Sequence, residues 1–373
     1  MKSFLKISSI LLILLVLLTG CWDMVDIDRR IFIGNVGVDK ADDKYLFIFT
    51  YPIVRKLVGG EGGGGGGGGG KSIYTIKTEA RSFTEAVSLI AHRTSRRIYF
   101  DHSRNIIIGE DAARSGLKEL VESFETNTQT NRRSFLIIAK GKAEEILGQE
   151  SEQEMLLAYY IESLFKDAQN KGDIIIKDFS QVMEQIHSLK GNALMPAIVK
   201  TGKELDVNGG AVIKNYRLAG FLDPEEARGI NILRGEANQT ITAFDLGDKK
   251  MVVCEINRVD SKPVLVKSGE APVLRYDIEI AASLKEAPIM KIDSKVLKEL
   301  EETFASEIKK QVEKGIEKVQ KDYRVDVLGV GEYLYKYKPR VWKKYEKDWE
   351  NIFPDAEIII NPKVKFINLG PVI

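Results

Sequence analysis

The sequence predicts an α+β protein of several domains, built from mixed sheets flanked by helices. The chain has 373 residues, more than one domain usually contains. Along the first half, segments that alternate apolar and polar residues are interspersed with segments of helical period. Beyond a polar break the pattern is mostly strand-like and precedes one long helical segment, which indicates a C-terminal domain rich in antiparallel strands with one long helix.

These patterns divide the chain into four parts. We expect a signal peptide over residues 1–20, an N-terminal domain of α/β type over residues 21–200, a polar linker over residues 201–210 and a C-terminal α+β domain over residues 211–373. The N-terminal domain is either one unit or two subdomains. The 55 basic and 54 acidic residues leave a net charge of +1, so no overall field attracts nucleic acid.

The N-terminus has the pattern of a bacterial lipoprotein signal. Lys2 and Lys6 precede an apolar run over residues 7–18, which is shorter than the roughly 20 residues of a membrane-spanning helix. The run ends in LTGC, which resembles the lipobox, where small residues before the cysteine admit the signal peptidase. We therefore expect Cys21 to carry a diacylglyceryl group. The alternative is an uncleaved anchor followed by a buried cysteine.

The second cysteine, Cys254, lies in a strand-like apolar run. With Cys21 lipidated, no intramolecular disulfide can form. We expect Cys254 to be a small buried hydrophobic residue, because no histidine lies near it in the sequence to activate a nucleophile.

A glycine-rich segment separates two predicted strands of the N-terminal domain. Residues 65–72 match the phosphate-loop pattern G-x-x-x-x-G-K-[ST], but Lys71 and Ser72 are followed by a strand pattern and not by a helix. We interpret residues 59–70 as a flexible hairpin loop between strands, with nucleotide binding as the minor alternative. The predicted strands here cover residues 31–38, 45–54 and 72–78.

The remaining elements of the N-terminal domain alternate between strands and helices. Ser82 and Glu85 form a possible capping box before a helix, and Ser151 and Glu154 form another before a helix that continues to about Ala168. Further helical faces and strands are predicted from Leu117 to Phe124, from Phe179 to Ile186, and over residues 98–100, 105–108 and 134–139.

The C-terminal domain begins with a predicted hairpin over residues 211–221. Asp223 and the following proline start a short helix, and several strands follow between residues 240 and 284. A long helix begins near Ser294, and a final helix over residues 340–349 and a strand over residues 357–367 complete the domain. One face of the long helix must pack on the preceding sheet, because it carries an apolar stripe of Leu297, Leu300, Phe304, Ile308, Val312 and Ile316.

The sequence offers no reaction centre, so we expect a non-enzymatic protein without metal or cofactor. His92, His102 and His187 lack partners at metal-ligand spacing. Asp101, His102 and Ser103 are the three residue types of a catalytic triad. The side chains of consecutive residues point in different directions, however, so these three are not expected to act together.

Two basic clusters cover residues 92–97 and 336–347, and aromatic residues are interleaved with the second. Trp342, Tyr345 and Trp349 have helical spacing, so we expect them to form the buried side of a helix whose lysines are solvated. Contact with a partner protein or with lipid headgroups is the alternative.

Several segments along the chain form a recognisable order of motifs. They are CWD at residues 21–23, residues 81–116 with IYFDH and IIIGEDAAR, residues 135–147, GAVIKNYRLAG at residues 210–220, and DVLGVG at residues 326–331 with Trp342 and Trp349. Together they resemble the Ger(x)C family, the lipoprotein C subunits of nutrient germinant receptors in endospore-forming bacteria. The resemblance covers nearly the whole mature chain, and the glycine tract is the one segment that departs from it.

The resemblance implies a non-enzymatic subunit tethered to the outer face of the inner spore membrane by its N-terminal lipid. It also implies a multidomain α+β fold. The subunit would function together with a larger membrane A subunit and a transporter-like B subunit. The main alternative is a solute-binding lipoprotein of an importer, which would have two similar lobes with parallel sheets. A lipid-anchored hydrolase, the third class, lacks a nucleophile motif.

Overall fold

The computed structural model describes residues 29–53, 73–149, 153–154, 156–168, 171–246, 251–287 and 293–369. Over these residues the chain is an α+β protein with mixed sheets, which confirms the predicted fold class. The strands are β1 Arg30–Phe32, β2 Asn35–Ala41, β3 Lys44–Pro52, β4 Ile73–Ala80, β5 Arg97–Tyr99, β6 Asn105–Ile108, β7 Phe135–Lys140, β8 Ala193–Met195, β9 Ala197–Thr201, β10 Glu204–Asp206, β11 Gly210–Lys214, β12 Arg217–Leu222, β13 Thr240–Asp245, β14 Met251–Ser268, β15 Pro272–Glu286 and β16 Glu357–Asn368. The helices are α1 Phe83–Ala91, α2 Glu110–Ser115, α3 Lys118–Thr126, α4 Ala143–Leu147, α5 Leu157–Ala168, α6 Phe179–Ser188, α7 Pro224–Leu233, α8 Ser294–Glu317, α9 Val330–Tyr337, α10 Pro339–Tyr345 and α11 Trp349–Ile352.

A seven-stranded mixed sheet forms the centre of the N-terminal half. Its strand order is β10-β9-β7-β6-β2-β3-β4, with parallel pairing from β9 to β2 and antiparallel pairing at both ends. The central strands β6 and β7 are almost wholly buried. Helices and loops cover both faces, which explains why these strands are continuous apolar runs and not alternating ones.

Residues 201–210, predicted as a linker, contain strand β10. Leu205 pairs with Lys200 of β9 and is buried, while its neighbours Glu204 and Asp206 are exposed. Gly202 supplies the positive φ of 63° that the tight turn between β9 and β10 requires. The segment is polar because it forms the edge of a sheet, and polar composition alone did not distinguish an edge strand from a linker. The domain division remains a prediction.

The C-terminal half contains a four-stranded sheet of order β13-β14-β15-β16. The pairs β13–β14 and β14–β15 are antiparallel, and β16 adds to β15 in parallel. The predicted stripe on α8 is buried in the same core as these strands. The ring of Phe304 stacks 5.1 Å from Phe244 of β13 and 6.1 Å from Phe366 of β16.

Helices α7 and α8 approach each other through two glycines. A Cβ atom on Gly229 would lie 2.0 Å from the carbonyl oxygen of Gln311, and one on Gly315 would lie 2.6 Å from that of Glu226. A Cβ atom cannot approach a carbonyl oxygen this closely. Both positions therefore require glycine at this separation of the two helices. None of the helices within the described ranges has both the length and the apolar character needed to cross a bilayer.

The prediction of one helix over residues 340–349 was wrong. Helix α10 ends at Tyr345, and a separate short helix begins at Trp349, because a turn bonded from Asp348 N–H to Tyr345 C=O separates them. Tyr345 is fully buried, whereas Trp342 and Trp349 are partly exposed. Two separate segments thus carry the aromatic residues that the helical spacing had placed on one face.

The predicted capping box of Ser151 and Glu154 lies partly outside the described residues, which do not include Ser151. The helix that follows begins at Leu157. The Ser82 cap is present, since its hydroxyl accepts from the Glu85 N–H, and the Glu85 carboxylate accepts from the N–H of Arg81.

Candidate functional site: an aromatic cleft

Two features that the sequence analysis singles out lie outside the described residues. They are Cys21, the predicted lipid attachment site, and the glycine tract with Lys71 and Ser72. Both assignments stay predictions. The strands on either side of the tract are antiparallel neighbours, with Pro52 of β3 opposite Ile73 of β4.

The three histidines lie apart and have ordinary surroundings. His187 Nε2 is 3.0 Å from a carboxylate oxygen of Glu125, and the ring of His102 meets Phe32 edge-on at 5.1 Å. His92 is exposed at the end of α1. No hydrogen bond among the described residues links the side chains of Asp101, His102 and Ser103 to one another, so these residues do not form a triad there.

Cys254 is fully buried in the core of the C-terminal half, as predicted. Burial raises the pKa of its thiol to about 12, which leaves it protonated and unreactive near neutral pH. Across the part of the chain that the structure describes, no three His, Cys, Asp or Glu side chains are grouped to hold a metal ion.

The DVLGVG segment folds into a turn around its own aspartate. One carboxylate oxygen of Asp326 accepts from the N–H groups of Gly329 and Val330 at 3.0 and 3.2 Å, and the other accepts from Gly331 N–H at 2.6 Å. Gly329 has a φ of 83°, and Val330 begins helix α9. The carboxylate therefore binds the free N–H groups at the start of this helix.

Trp349 supplies a fourth hydrogen bond to the same carboxylate. Its indole Nε1 donates to Oδ2 of Asp326 at 3.0 Å, and its ring meets Trp342 edge-on at 5.4 Å. Burial raises the pKa of the Asp326 carboxyl, and the four donated hydrogen bonds oppose this shift. A Cβ atom on Gly331 would lie 2.8 Å from the same indole nitrogen, so only glycine allows this approach.

These aromatic residues line a cleft of about 690 Å³, which is within the usual size range of ligand sites. One wall consists of the end of α6 and the loop after it, with Ser188, Leu189, Lys190 and Asn192, and of the β11–β12 turn. The other wall consists of Arg324, Asp326 and parts of α9, α10 and α11. At the rim, Glu350 accepts from Lys214 at 3.1 Å and from Asn215 at 3.3 Å, so charged contacts join the two walls.

Three non-glycine residues with left-handed backbone line this cleft. Lys190, Asn215 and Arg324 line it and have φ angles of 53°, 49° and 52°. The left-handed conformation is tolerated by asparagine but costs a lysine or an arginine about 1–2 kcal/mol. Such residues cluster at functional sites, where the surrounding structure maintains them.

The lining of the cleft is both charged and aromatic. The described residues that line it include both charge signs, two tryptophans and the exposed Tyr335. Trp342 and Trp349 stand out in the sequence by their spacing in the second basic cluster and by the resemblance, and the DVLGVG segment by the resemblance alone. The two walls were not predicted, because they lie far apart along the chain.

Two family models together match most of the chain. The model "Spore germination protein N-terminal domain" matches residues 23–200, and "Spore germination B3/GerAC like, C-terminal" matches residues 208–370.

Two curated relatives from Bacillus subtilis (strain 168) match over nearly their full lengths, whereas "Putative spore germination protein YfkR" from the same organism is 26% identical over 62% of its length. "Spore germination protein A3" is 28% identical, with 92% of each chain covered, and "Spore germination protein B3" is 22% identical, with 98% of each covered. Among solved structures, "Crystal Structure of the GerBC protein" superposes with a TM-score of 0.61 at 18% identity, covering 89% of this chain and 97% of that one. This likeness confirms the fold.

Proposed function

Because the chain belongs to the Ger(x)C family of spore germination proteins, we propose that it is the C subunit of a nutrient germinant receptor. The observation that carries the proposal is the match to both halves of the family, in order, over residues 23–200 and 208–370. Curated relatives named as spore germination proteins cover almost the same length, which supports a shared role of the whole chain.

The proposed subunit is held on the outer face of the inner spore membrane by a lipid on Cys21. The apolar run over residues 7–18 and the LTGC sequence support this anchor. Each methylene that enters the bilayer contributes about 0.8 kcal/mol, so two or more acyl chains such as palmitate give lasting attachment.

The proposed partners are the membrane A and B subunits of the receptor. Tethering to a shared membrane raises the local concentration of this subunit beside them without any new contact. The cleft at Trp342 and Trp349 is the candidate surface for a ligand or partner segment, because its backbone is strained and its walls come from both halves of the chain.

The proposed role is non-enzymatic, which the match to the family of spore germination proteins supports. The importer alternative predicts two similar lobes with parallel sheets. Here the pairs β13–β14 and β14–β15 are antiparallel and the sheet of the N-terminal half is mixed, so the described architecture gives that alternative no support.

The test is Cys21→Ala in the spore, with Cys254→Ala as the matched control. We expect Cys21→Ala to lose labelling by a radioactive fatty acid and to slow or abolish germination with nutrients, while nutrient-independent triggers still work. Cys254→Ala should keep the label, because the Cys254 side chain is buried. Label that persists in Cys21→Ala would refute the anchor, and normal nutrient germination without any of this protein would refute the receptor role.

A further inference from the structure

The aromatic cleft carries as many acidic as basic side chains. Five basic and five acidic residues are among the described residues that line it, so this lining has no net charge. Lys214 contacts Glu350 at 3.1 Å, and Lys336 contacts Glu332. Burying a charged ligand costs free energy unless an opposite charge is free to pair with it. The balance of charges therefore favours an uncharged ligand.

Most side chains that line the cleft carry hydrogen-bonding groups, which makes it unsuitable for a purely apolar ligand. Three of them are the asparagines Asn192, Asn215 and Asn351. An amide both donates and accepts hydrogen bonds, and a carboxylate accepts them. A hydroxyl group also donates and accepts, so this lining matches a ligand that is rich in hydroxyls.

Two tryptophan rings add flat apolar surface to this polar lining. The ring planes of Trp342 and Trp349 differ by 66°, and both residues are partly exposed. The face of an aromatic ring has a negative partial charge. The C–H groups of a sugar ring have a positive one, because they neighbour oxygen atoms. A pyranose ring can therefore pack flat on an indole while its hydroxyls reach the polar groups around it.

The structure holds both walls of the cleft in place without a ligand. The hydrogen bond from Trp349 to Asp326 fixes one indole ring. On the opposite wall, the N–H of Asn215 donates to Oδ1 of Asn192 at 2.9 Å, and the N–H of Tyr216 donates to the carbonyl oxygen of Gly191 at 2.8 Å. Among the described residues, Nδ2 of Asn192 has no acceptor, so it can donate to a ligand. Pre-arranged walls lower the entropy cost of binding.

We propose that the aromatic cleft binds an uncharged pyranose sugar, either free or as part of a glycan chain. This rests on the proposed function in one respect, since it takes the cleft to be the ligand surface named there. The sugar ring packs on Trp342, whose indole has no hydrogen bond within the described residues to hold it elsewhere. A volume of about 690 Å³ admits a single ring or a short chain of rings.

A second cavity, of about 280 Å³, suits a sugar less well. Its lining includes Ile33, Ile73 and Leu157, which offer no hydrogen bonds from their side chains. The cation in this lining, Arg104, contacts Glu162 and lies 3.9 Å from the centre of the Tyr159 ring. Its hydrogen-bonding capacity is therefore already engaged.

The test uses a chain that begins at residue 23. Of the three tryptophans in the sequence, this chain keeps only Trp342 and Trp349, so its tryptophan fluorescence reports on the cleft. It keeps the described core, because every residue of that core is Ile31 or later. The probes are glucose, galactose, mannose, N-acetylglucosamine, cellotriose and chitotriose. We expect at least one to change the emission at up to about 10 mM, where a ligand with a Kd of about 1 mM nearly saturates its site.

Two comparisons separate sugar binding from a nonspecific effect. The open-chain alditol of a bound monosaccharide should bind more weakly, because it has no flat ring face and loses more freedom on binding. Trp342→Leu should weaken binding of the sugar roughly tenfold, which corresponds to about 1.4 kcal/mol. Trp342→Phe, which keeps an aromatic face, should retain most of the binding.

The matched control is Tyr337→Leu, which removes an exposed ring of α9 that does not line the cleft. It should bind as the parent chain does, and urea unfolding checks that each variant is folded. Tighter binding of a trimer than of its monosaccharide would support a glycan chain, and equal binding would support a free sugar.

No response to any of the six probes would overturn the proposal. Equal weakening in Trp342→Leu and Tyr337→Leu would overturn it as well. Either result would leave the anchor and the receptor role untouched, because those are tested by labelling and germination in the spore.

Discussion

The indole Nε1 of Trp349 donates a hydrogen bond of 3.0 Å to Oδ2 of Asp326, which joins α11 to the turn that begins α9. The Asp326 carboxylate is largely buried, with only 6% of the residue exposed. This contact therefore fixes one wall of the cleft.

Replacing Trp349 with phenylalanine should lower the free energy of unfolding by about 1.5–3 kcal/mol, because a buried charged acceptor loses one donor. Urea denaturation measures the change. Trp342→Phe is the control, since Trp342 packs against Trp349 without a hydrogen bond to Asp326. Equal losses in the two variants would show that ring packing, and not the hydrogen bond, stabilises the wall.

Phe304→Ala should destabilise the chain by roughly 3–5 kcal/mol, because the ring is fully buried between Phe244 and Phe366. The exposed Glu302→Ala on the same helix should change stability by less than about 0.5 kcal/mol. Thermal and urea unfolding of the two variants would measure both changes in stability. An unchanged midpoint for Phe304→Ala would mean that the stripe of α8 does not support this core.

Gly315→Ala should destabilise the protein although alanine favours helices by about 1 kcal/mol over glycine. The added methyl group would meet the carbonyl oxygen of Glu226 at 2.6 Å and force α7 and α8 apart. Lys310→Ala, exposed on α8, is the control for substitution in this helix. A gain in melting temperature for Gly315→Ala would refute the close crossing.

The thiol of Cys254 should not react with a disulfide reagent in the native protein near neutral pH. Its pKa is about 12 and its side chain is buried, so reaction requires unfolding. A chain that begins at residue 22 has no other thiol, so one equivalent should react in denaturant. Fast reaction without denaturant would show that this strand opens readily.

Replacing residues 62–70 with a four-residue Gly-Ser turn should leave stability and germination nearly unchanged. Doubling the length of a loop costs only about 0.6 kcal/mol of closure entropy, so shortening it changes little. Urea unfolding and a germination time course check this. Tight ATP binding by the parent chain that is lost in Lys71→Ala would contradict the loop assignment.

The local elements were predictable because short-range patterns determine them. The stripe of α8, the hairpin of β11 and β12, and the Asp223 cap all follow from spacings within a few residues, and all three are present. Edge strand β10 was missed because its composition is that of a loop. The break after Tyr345 was missed because the helical spacing of the aromatic residues does not reveal a turn between two helices.

The cleft could not be predicted, because its walls are distant in sequence. Lys214 meets Glu350, and Asp326 meets Trp349, only through tertiary folding of the C-terminal half. Likewise, the pairing of Arg30 with Arg97 depends on the path of the intervening chain. Periodicity contains no information about such contacts.

The parallel position of β16 beside β15 constrains the order in which the chain can fold during synthesis. Residues 287–356 lie between these strands and must all leave the ribosome before β16 can pair. Until then one edge of β15 is open, and an open edge invites pairing with other chains. Pairings of such long sequence separation also form slowly. A nascent chain stalled before β16 should thus be a target for chaperones and proteases.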